Sequence, residues 1–367
     1  MKILLYTVKM LANKRIIVGM SGGVDSTLSA LLLRRNYDVV GVTLKLHNSL
    51  SADDNNSSCG NAKSLERAQR AADEIDIPLI IIDCSKSFHD QTLTQCWDLL
   101  KNGCTPNPCH ICNANVKFRE LLKAAESLNA DLIATGHYAQ IYTDSSGRKV
   151  LKRGADYDKD QSYFLSGLTP EILARTVFPL GAMKKSAVKQ IAAEYGLSSV
   201  HLRESQDLCF AANSSSFAET LFTKFNGKAI TGSFMDEQGH ILAPHNGIHQ
   251  YTIGQRRGLG FATGKRMKIT DINVETGKIT VSPSNAAACS DNCKARSFIW
   301  HSQPLVPGTR VEAQVRYRQK AVTAMIVDST ATTVELTFDT PVFGVTPGQI
   351  LVLYIDDCVQ GCGVITR

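Results

Sequence analysis

Gly19-Met20-Ser21-Gly22-Gly23-Val24-Asp25-Ser26-Thr27 follows the β-branched run Arg15-Ile16-Ile17-Val18 and precedes the helix-favouring stretch Leu28 to Arg35. A buried strand therefore runs into a glycine loop and then a helix. Gly19, Gly22 and Gly23 have no Cβ and tolerate positive φ, so successive backbone N–H groups can converge on an anion at a helix N-terminus. No Gly-Lys-Ser/Thr closes the loop, so this phosphate site is not of the Walker type. The plain alternative is a tight strand-to-helix turn capped by Asp25 or Ser26.

Working outward, β-branched runs at 15–18, 38–46, 79–83 and 131–139 alternate with helical patterns near 26–35, 61–75, 87–102 and 115–129. This alternation predicts a parallel sheet wound with helices, a Rossmann-like α/β domain. Ligands of such sheets sit at the C-terminal strand ends, where Leu44 and Gly136-His137 emerge beside the glycine loop. The polar run 53–58 reads as a loop. Cys104 to Asn113 carries two prolines and reads as a rigid, extended loop. A thiol on it, close to a phosphate-binding helix terminus, would see positive potential favouring its thiolate. Cys109-x-x-Cys112, with His110 between, supplies half the ligands zinc needs, and no second Cys-x-x-Cys completes them, so no metal site is assigned.

Residues 140–168 read as a hairpin around Ser145-Ser146-Gly147 followed by a polar segment from Asp158 to Leu165. Lys185 to Tyr195 reads as an amphipathic helix closed by Gly196. Glu204 to Phe210 places Cys209 at a strand end. Beyond a short helix over 217–225, glycines punctuate short alternating segments, which implies small sheets or a barrel. Ser282-Pro283-Ser284-Asn285 breaks that pattern, giving divisions at 1–210, 211–283 and 284–367. The pairs Cys289/Cys293 and Cys358/Cys362 are assigned no site.

The chain of 367 residues is long enough for two or three cores. Its apolar fraction of 43% and mean hydropathy of -0.09 are those of an ordinary soluble protein. No apolar run approaches the roughly 18 to 20 residues a membrane span needs, so no membrane partner is expected. Met1 to Tyr6 reads as neither signal nor anchor. Eleven cysteines, an odd count, argue against a disulfide framework and for reactive thiols in a reducing, cytoplasmic setting. The formal charge is +6, with 25 basic and 22 acidic residues in 1–210, 8 and 5 in 211–283, and 7 of each in 284–367. The middle segment is the most basic per residue, through Arg256, Arg257, Lys265, Arg266 and Lys268, which fits phosphate contacts with a nucleic acid.

Six stretches occur in one order along the chain: the glycine loop, Pro106-Asn107-Pro108 with Cys112-Asn113, Thr135 to Tyr138, Lys159 to Leu165, Ser205 to Phe210, and Tyr251 to Gly260. Ser-Gly-Gly-Val-Asp-Ser resembles the motif of the PP-loop ATP pyrophosphatases, and the ordered set resembles the tRNA 2-thiouridylase family over nearly the whole chain. The resemblance implies ATP on Gly19, Met20, Ser21, Gly22, Gly23, Val24, Asp25 and Ser26, with Leu44 and Gly136 near the adenosine and Mg²⁺ on the pyrophosphate. It implies a persulfide on Cys209 and a resolving role for Cys112, both catalytic. It further implies tRNA contacts from Asn107, Pro108, Cys109, His137, Lys159, Asp160, Gln161, Arg316, Tyr317 and Gln349, and a sulfur donor such as a cysteine desulfurase or sulfur-relay protein. The reaction implied is adenylation of the C2 carbonyl of the wobble uridine in tRNAs for Lys, Glu and Gln, followed by sulfur transfer.

Cys109 departs from the family, which often has aspartate there with a general acid/base role. It opens a second route, an iron–sulfur cluster on three thiolates, but cluster sites more often have four, so the persulfide route is preferred. Two rival readings stay open: another PP-loop enzyme, either a 4-thiouridine synthetase or an amide-forming ligase, and a non-catalytic tRNA-binding protein.

Overall fold

The computed structural model describes residues 14–47, 62–202 and 216–367. Seven strands lie in the first part: β1 (Arg15–Gly19), β2 (Asp38–Lys45), β3 (Leu79–Asp83), β4 (Leu132–Thr135), β5 (Ala139–Thr143), β6 (Lys149–Arg153) and β7 (Thr176–Val177). Five form a parallel sheet in the order β3-β2-β1-β4-β7. Alternate side chains of β1 enter different cores, as the two faces of a pleated strand require. Ile16 and Val18 pack with Leu28 of α1 (Val24–Leu33) and with Ala68 and Ala72 of the helix Ala62–Glu74. Ile17 packs with Phe118 and Leu121 on the opposite face. The expected Rossmann-like domain is present.

Two local readings need correction. The apolar run 131–139 is not one strand: β4 stops at Thr135, and the chain breaks at Gly136 before β5 joins a different sheet. The break is steric, since a Cβ on Gly136 would lie 2.6 Å from the backbone carbon of Asp25. The stretch 104–113 is not a loop throughout. Pro108 occupies the first turn of a helix Pro108–Cys112 capped by Asn107, whose side chain accepts from the His110 N–H at 3.1 Å. Proline is preorganised for that position, where its missing N–H leaves nothing unsatisfied. The helix continues through a π-turn, Asn113–Lys117, into Phe118–Ser127. Ser85–Phe88 likewise passes through a π-turn, His89–Leu93, into Thr94–Lys101.

Downstream, β8 (Gly232–Met235), β9 (Ile241–His245), β10 (Lys268–Ile272) and β11 (Ile279–Ser282) form a four-stranded sheet in the order β10-β11-β8-β9 around Phe234. The last six strands are β12 (Cys289–Trp300), β13 (Arg310–Gln314), β14 (Val322–Ser329), β15 (Thr333–Phe343), β16 (Ile350–Ile355) and β17 (Cys358–Ile365). They pair in the order β12-β15-β14-β13-β16-β17, and β12 pairs with β17 to close an antiparallel barrel. The hairpin β5–β6, expected from Ser145-Ser146-Gly147, leaves its own domain and joins the barrel through Lys152 and Cys358. At that seam buried Arg153 meets Asp160 at 3.3 Å and Gln314 at 3.1 Å, with its guanidinium 3.6 Å from the centre of the Tyr354 ring. Among the described residues no helix is long and apolar enough to cross a membrane.

Candidate functional site

The loop after β1 is a cradle of backbone amides. Gly23 caps α1 without any side-chain hydrogen bond, so the first N–H groups of this ten-residue helix have no side-chain acceptor at that cap. Neither Asp25 nor Ser26 supplies the cap that a plain turn would use. Ser26 Oγ donates instead to the Gly23 carbonyl at 3.0 Å and accepts from the Ser21 N–H at 3.2 Å, which fixes the loop's curvature. Gly22 holds φ +72, and a Cβ there would lie 2.5 Å from the backbone of Arg67. Met20 is tied to β2 through its N–H to Val42 O at 2.8 Å. Half-buried Leu44 stands at the end of β2 and packs on two cores at once.

Asp25 faces a partner the sequence does not reveal. Its Oδ1 accepts from the Tyr138 hydroxyl at 2.7 Å, and both its oxygens accept from Lys185 Nζ, at 2.6 and 2.7 Å. Lys185 is 7% exposed and opens the helix Lys185–Glu194. A lysine there opposes the helix dipole, which is the one sequence signal that could have singled it out. Tyr138 is braced in turn by Gln161, whose Oε1 accepts the Tyr138 N–H at 2.9 Å. Gln161 thus connects to the glycine loop through two hydrogen bonds.

Cys112 ends the helix Pro108–Cys112 and is buried in one cluster with Leu46, Cys84 and Cys96. Leu46 follows β2 and Cys84 follows β3, so this cluster lies at the same sheet edge as the glycine loop. Burial pushes the Cys84 thiol up to about 12 and raises Cys96 as well. Both are neutral thiols at pH 7. Cys109 is half-buried and lies close enough to Tyr317 of the barrel to raise the phenol's pKa, after the larger effect of burial. His110 is no metal ligand. Burial pulls its pKa down to about 4, its Nε2 lies 3.5 Å from Cys362 Sγ, and Gly167 leaves the room its ring needs. Among the described residues no cluster of His, Cys, Asp or Glu could hold a metal ion. Cys209, with Ser205 to Phe210, lies outside the described residues.

The residues expected at the tRNA divide. Pro108 is buried in the first turn of its helix, whereas Lys159 and Tyr317 are half-buried, and Tyr317 packs against Phe164 with ring centres 4.1 Å apart and the planes tilted by 38°. His137 bonds Thr135 Oγ1 through Nδ1 at 2.7 Å, and burial holds it neutral. Asp160 is instead a buried strut: it accepts from the N–H groups of Gly154 and Ser162 at 2.9 and 3.0 Å and pairs with Arg153. Arg316 lies just past the end of β13 at Gln314. Its Nη2 donates to Ile253 O at 2.8 Å and to Thr346 Oγ1. Gln349 Nε2 donates to the carbonyls of Thr105 and Pro106, at 2.9 and 3.2 Å. Arg256, Lys265 and Arg266 line an open cleft of about 730 Å³ over Phe261 in the central domain.

Residues 14–213 match the tRNA methyl transferase HUP domain family, 220–283 the tRNA methyl transferase PRC-barrel domain family, and 290–365 the aminomethyltransferase β-barrel domain family. The tRNA-specific 2-thiouridylase MnmA of Synechocystis sp. is 40% identical over 358 residues, covering 96% of this chain and 97% of that protein. Its counterpart from Clostridium acetobutylicum is 36% identical over 360 residues, covering 96% and 99%. Among solved structures, the NH3-dependent NAD synthetase of Campylobacter jejuni aligns with 51% of this chain and 66% of its own, at 19% identity and a TM-score of 0.34.

Proposed function

The chain belongs to the tRNA-specific 2-thiouridylase family, and on that premise we propose that it replaces the C2 oxygen of the wobble uridine in tRNAs for Lys, Glu and Gln with sulfur, converting ATP to AMP and pyrophosphate. The observation that carries the reading is the uncapped N-terminus of α1, which opens at the same sheet edge as the Cys112 cluster. The loop fits a polyphosphate: Ser26 and Ser21 hold the Ser21 and Gly23 amides in place, and the start of α1 has no capping side chain to compete with the anion. ATP, when bound, supplies the adenylyl group that turns a poor oxygen leaving group into a good one. A magnesium ion fits only as a companion of the phosphates, since Asp25 is already engaged by Lys185 and Tyr138.

The chain's residues then have separable tasks. Gly19 to Ser26 hold the phosphates, and Lys185 fixes the carboxylate of Asp25. Asn107, Pro108, Cys109, His137, Lys159, Gln161 and Tyr317 receive the anticodon and its extruded base. Asp160, Arg316 and Gln349 act behind them by holding the segments on which they stand. Sulfur arrives as a persulfide on Cys209, delivered by a cysteine desulfurase or a sulfur-relay protein. The Cys112 thiolate attacks the inner sulfur of Cys209, a disulfide forms, and hydrosulfide leaves with the electron pair to attack C2 and expel the activated oxygen. An external thiol reductant must return two electrons to the disulfide before the next turnover.

Mass spectrometry of tRNA nucleosides tests this directly. Cys112→Ser and Cys209→Ser should each abolish 2-thiouridine, whereas Cys109→Ser retains a substantial part, and anaerobically purified protein should hold no stoichiometric iron. Loss of activity in all three variants together with bound iron would replace the persulfide by a cluster. Pyrophosphate exchange stimulated by tRNA separates this reading from a binding protein without catalysis.

A further inference from the structure

The helix that carries Cys112 is entered through a segment held almost wholly by other domains. The Thr105 N–H donates to Pro347 O at 2.8 Å, and its carbonyl accepts from Gln349 Nε2 at 2.9 Å. Both backbone groups of Thr105 are therefore bonded to the barrel. Its hydroxyl donates to Thr252 Oγ1 of the central domain at 3.1 Å. The next central residue, Ile253, offers its carbonyl to Arg316 of the barrel at 2.8 Å. Two glycines leave room for the junction: a Cβ on Gly348 would lie 2.9 Å from Thr105 N, and one on Gly344 2.9 Å from Arg316 Nη2. The Arg316 Nε–H is buried there without an acceptor.

We propose that Thr105, Arg316 and Gln349 form a three-domain relay that sets the position of Asn107 and Cys112 according to what lies on the basic turn Thr252–Arg257. The inference rests on the tRNA reading above. Thr252 and Ile253 share one six-residue turn with Arg256 and Arg257, so an RNA backbone drawn onto those arginines pulls on the same stretch that bonds Thr105. Two residues beyond Thr105, Asn107 caps the Cys112 helix. A shift of the cap therefore turns the helix bearing the thiol. These three are positioning residues: none needs to touch uridine, ATP or sulfur.

The test reads the thiol itself. Saturating unmodified tRNA should change the rate at which iodoacetamide alkylates Cys112 in the full-length protein by about tenfold, within the usual range for coupled sites. Peptide mass spectrometry provides the rate. Thr105→Val is nearly isosteric and removes one hydroxyl, and Gln349→Met removes one amide. Each should cut the response at saturating tRNA to below about twofold; Thr105→Val should do so with a tRNA Kd close to that of the wild type, and Thr105→Ser should restore the response. A full response in both variants, or none in wild-type protein that binds tRNA, overturns the relay. Wild-type protein that binds no tRNA overturns the reading on which the relay rests.

Discussion

At Asp25 a single carboxylate is held by two donors from distant parts of the chain, Tyr138 and Lys185. The lysine is nearly enclosed, so its removal takes from Asp25, beside the proposed phosphate loop, the cation that bonds both its oxygens. Lys185→Met should lower tRNA-dependent ATP–pyrophosphate exchange by about 100-fold, the scale at which misplacement of a reacting group acts, with tRNA affinity unchanged in a filter-binding assay. Exchange at the wild-type rate would return Lys185 to a structural role. The glycine loop was legible because its meaning is local: a strand, three glycines and a helix lie within twenty residues. The Asp25–Lys185 pair was not, because its members are 160 residues apart and no short-range pattern joins them.

The element that misled was the helix at Pro108. Proline both breaks helices and starts them, and only the cap formed by Asn107 decides which applies. Once the helix is recognised, Cys112 moves from an extended loop to a buried turn. The π-turn that follows, at Asn113–Lys117, is a local irregularity of a kind often found at functional sites. The basic turn behaves differently, since Arg256 and Arg257 are exposed and their composition was informative by itself. Arg256→Ala with Arg257→Ala should weaken tRNA binding and reduce the slope of log K against log salt by about 2, one for each phosphate contact released. An unchanged slope in fluorescence anisotropy titrations would leave these arginines as solvated surface.

For the whole molecule, buried histidines set the response to acid. Burial holds His110 and His301 near pKa 4, and both lie in contacts that join the barrel to the catalytic domain. The unfolded chain binds these protons near pH 6.5 while the folded protein does not, so stability falls as pH drops from 6.5 towards 4. Each group can remove up to about 3 kcal/mol across that window. Replacing His301 by Gln should move the circular-dichroism midpoint of acid unfolding to lower pH, and an unmoved midpoint would place the acid-sensitive groups elsewhere. Composition and strand spacing foretold a Rossmann-like domain and a barrel. They could not foretell that β5–β6 crosses between them, because a hairpin reads the same whichever sheet it joins. That crossing bears on synthesis. Lys152 meets Cys358 only after 206 more residues have been made, which takes roughly 10 to 40 s at ribosomal speed. Until then β6 waits beside the ribosome with its edge unpaired and the Arg153 guanidinium without Gln314. A chaperone that shields strand edges should therefore engage nascent chains released before the last strand, and let go of the finished polypeptide.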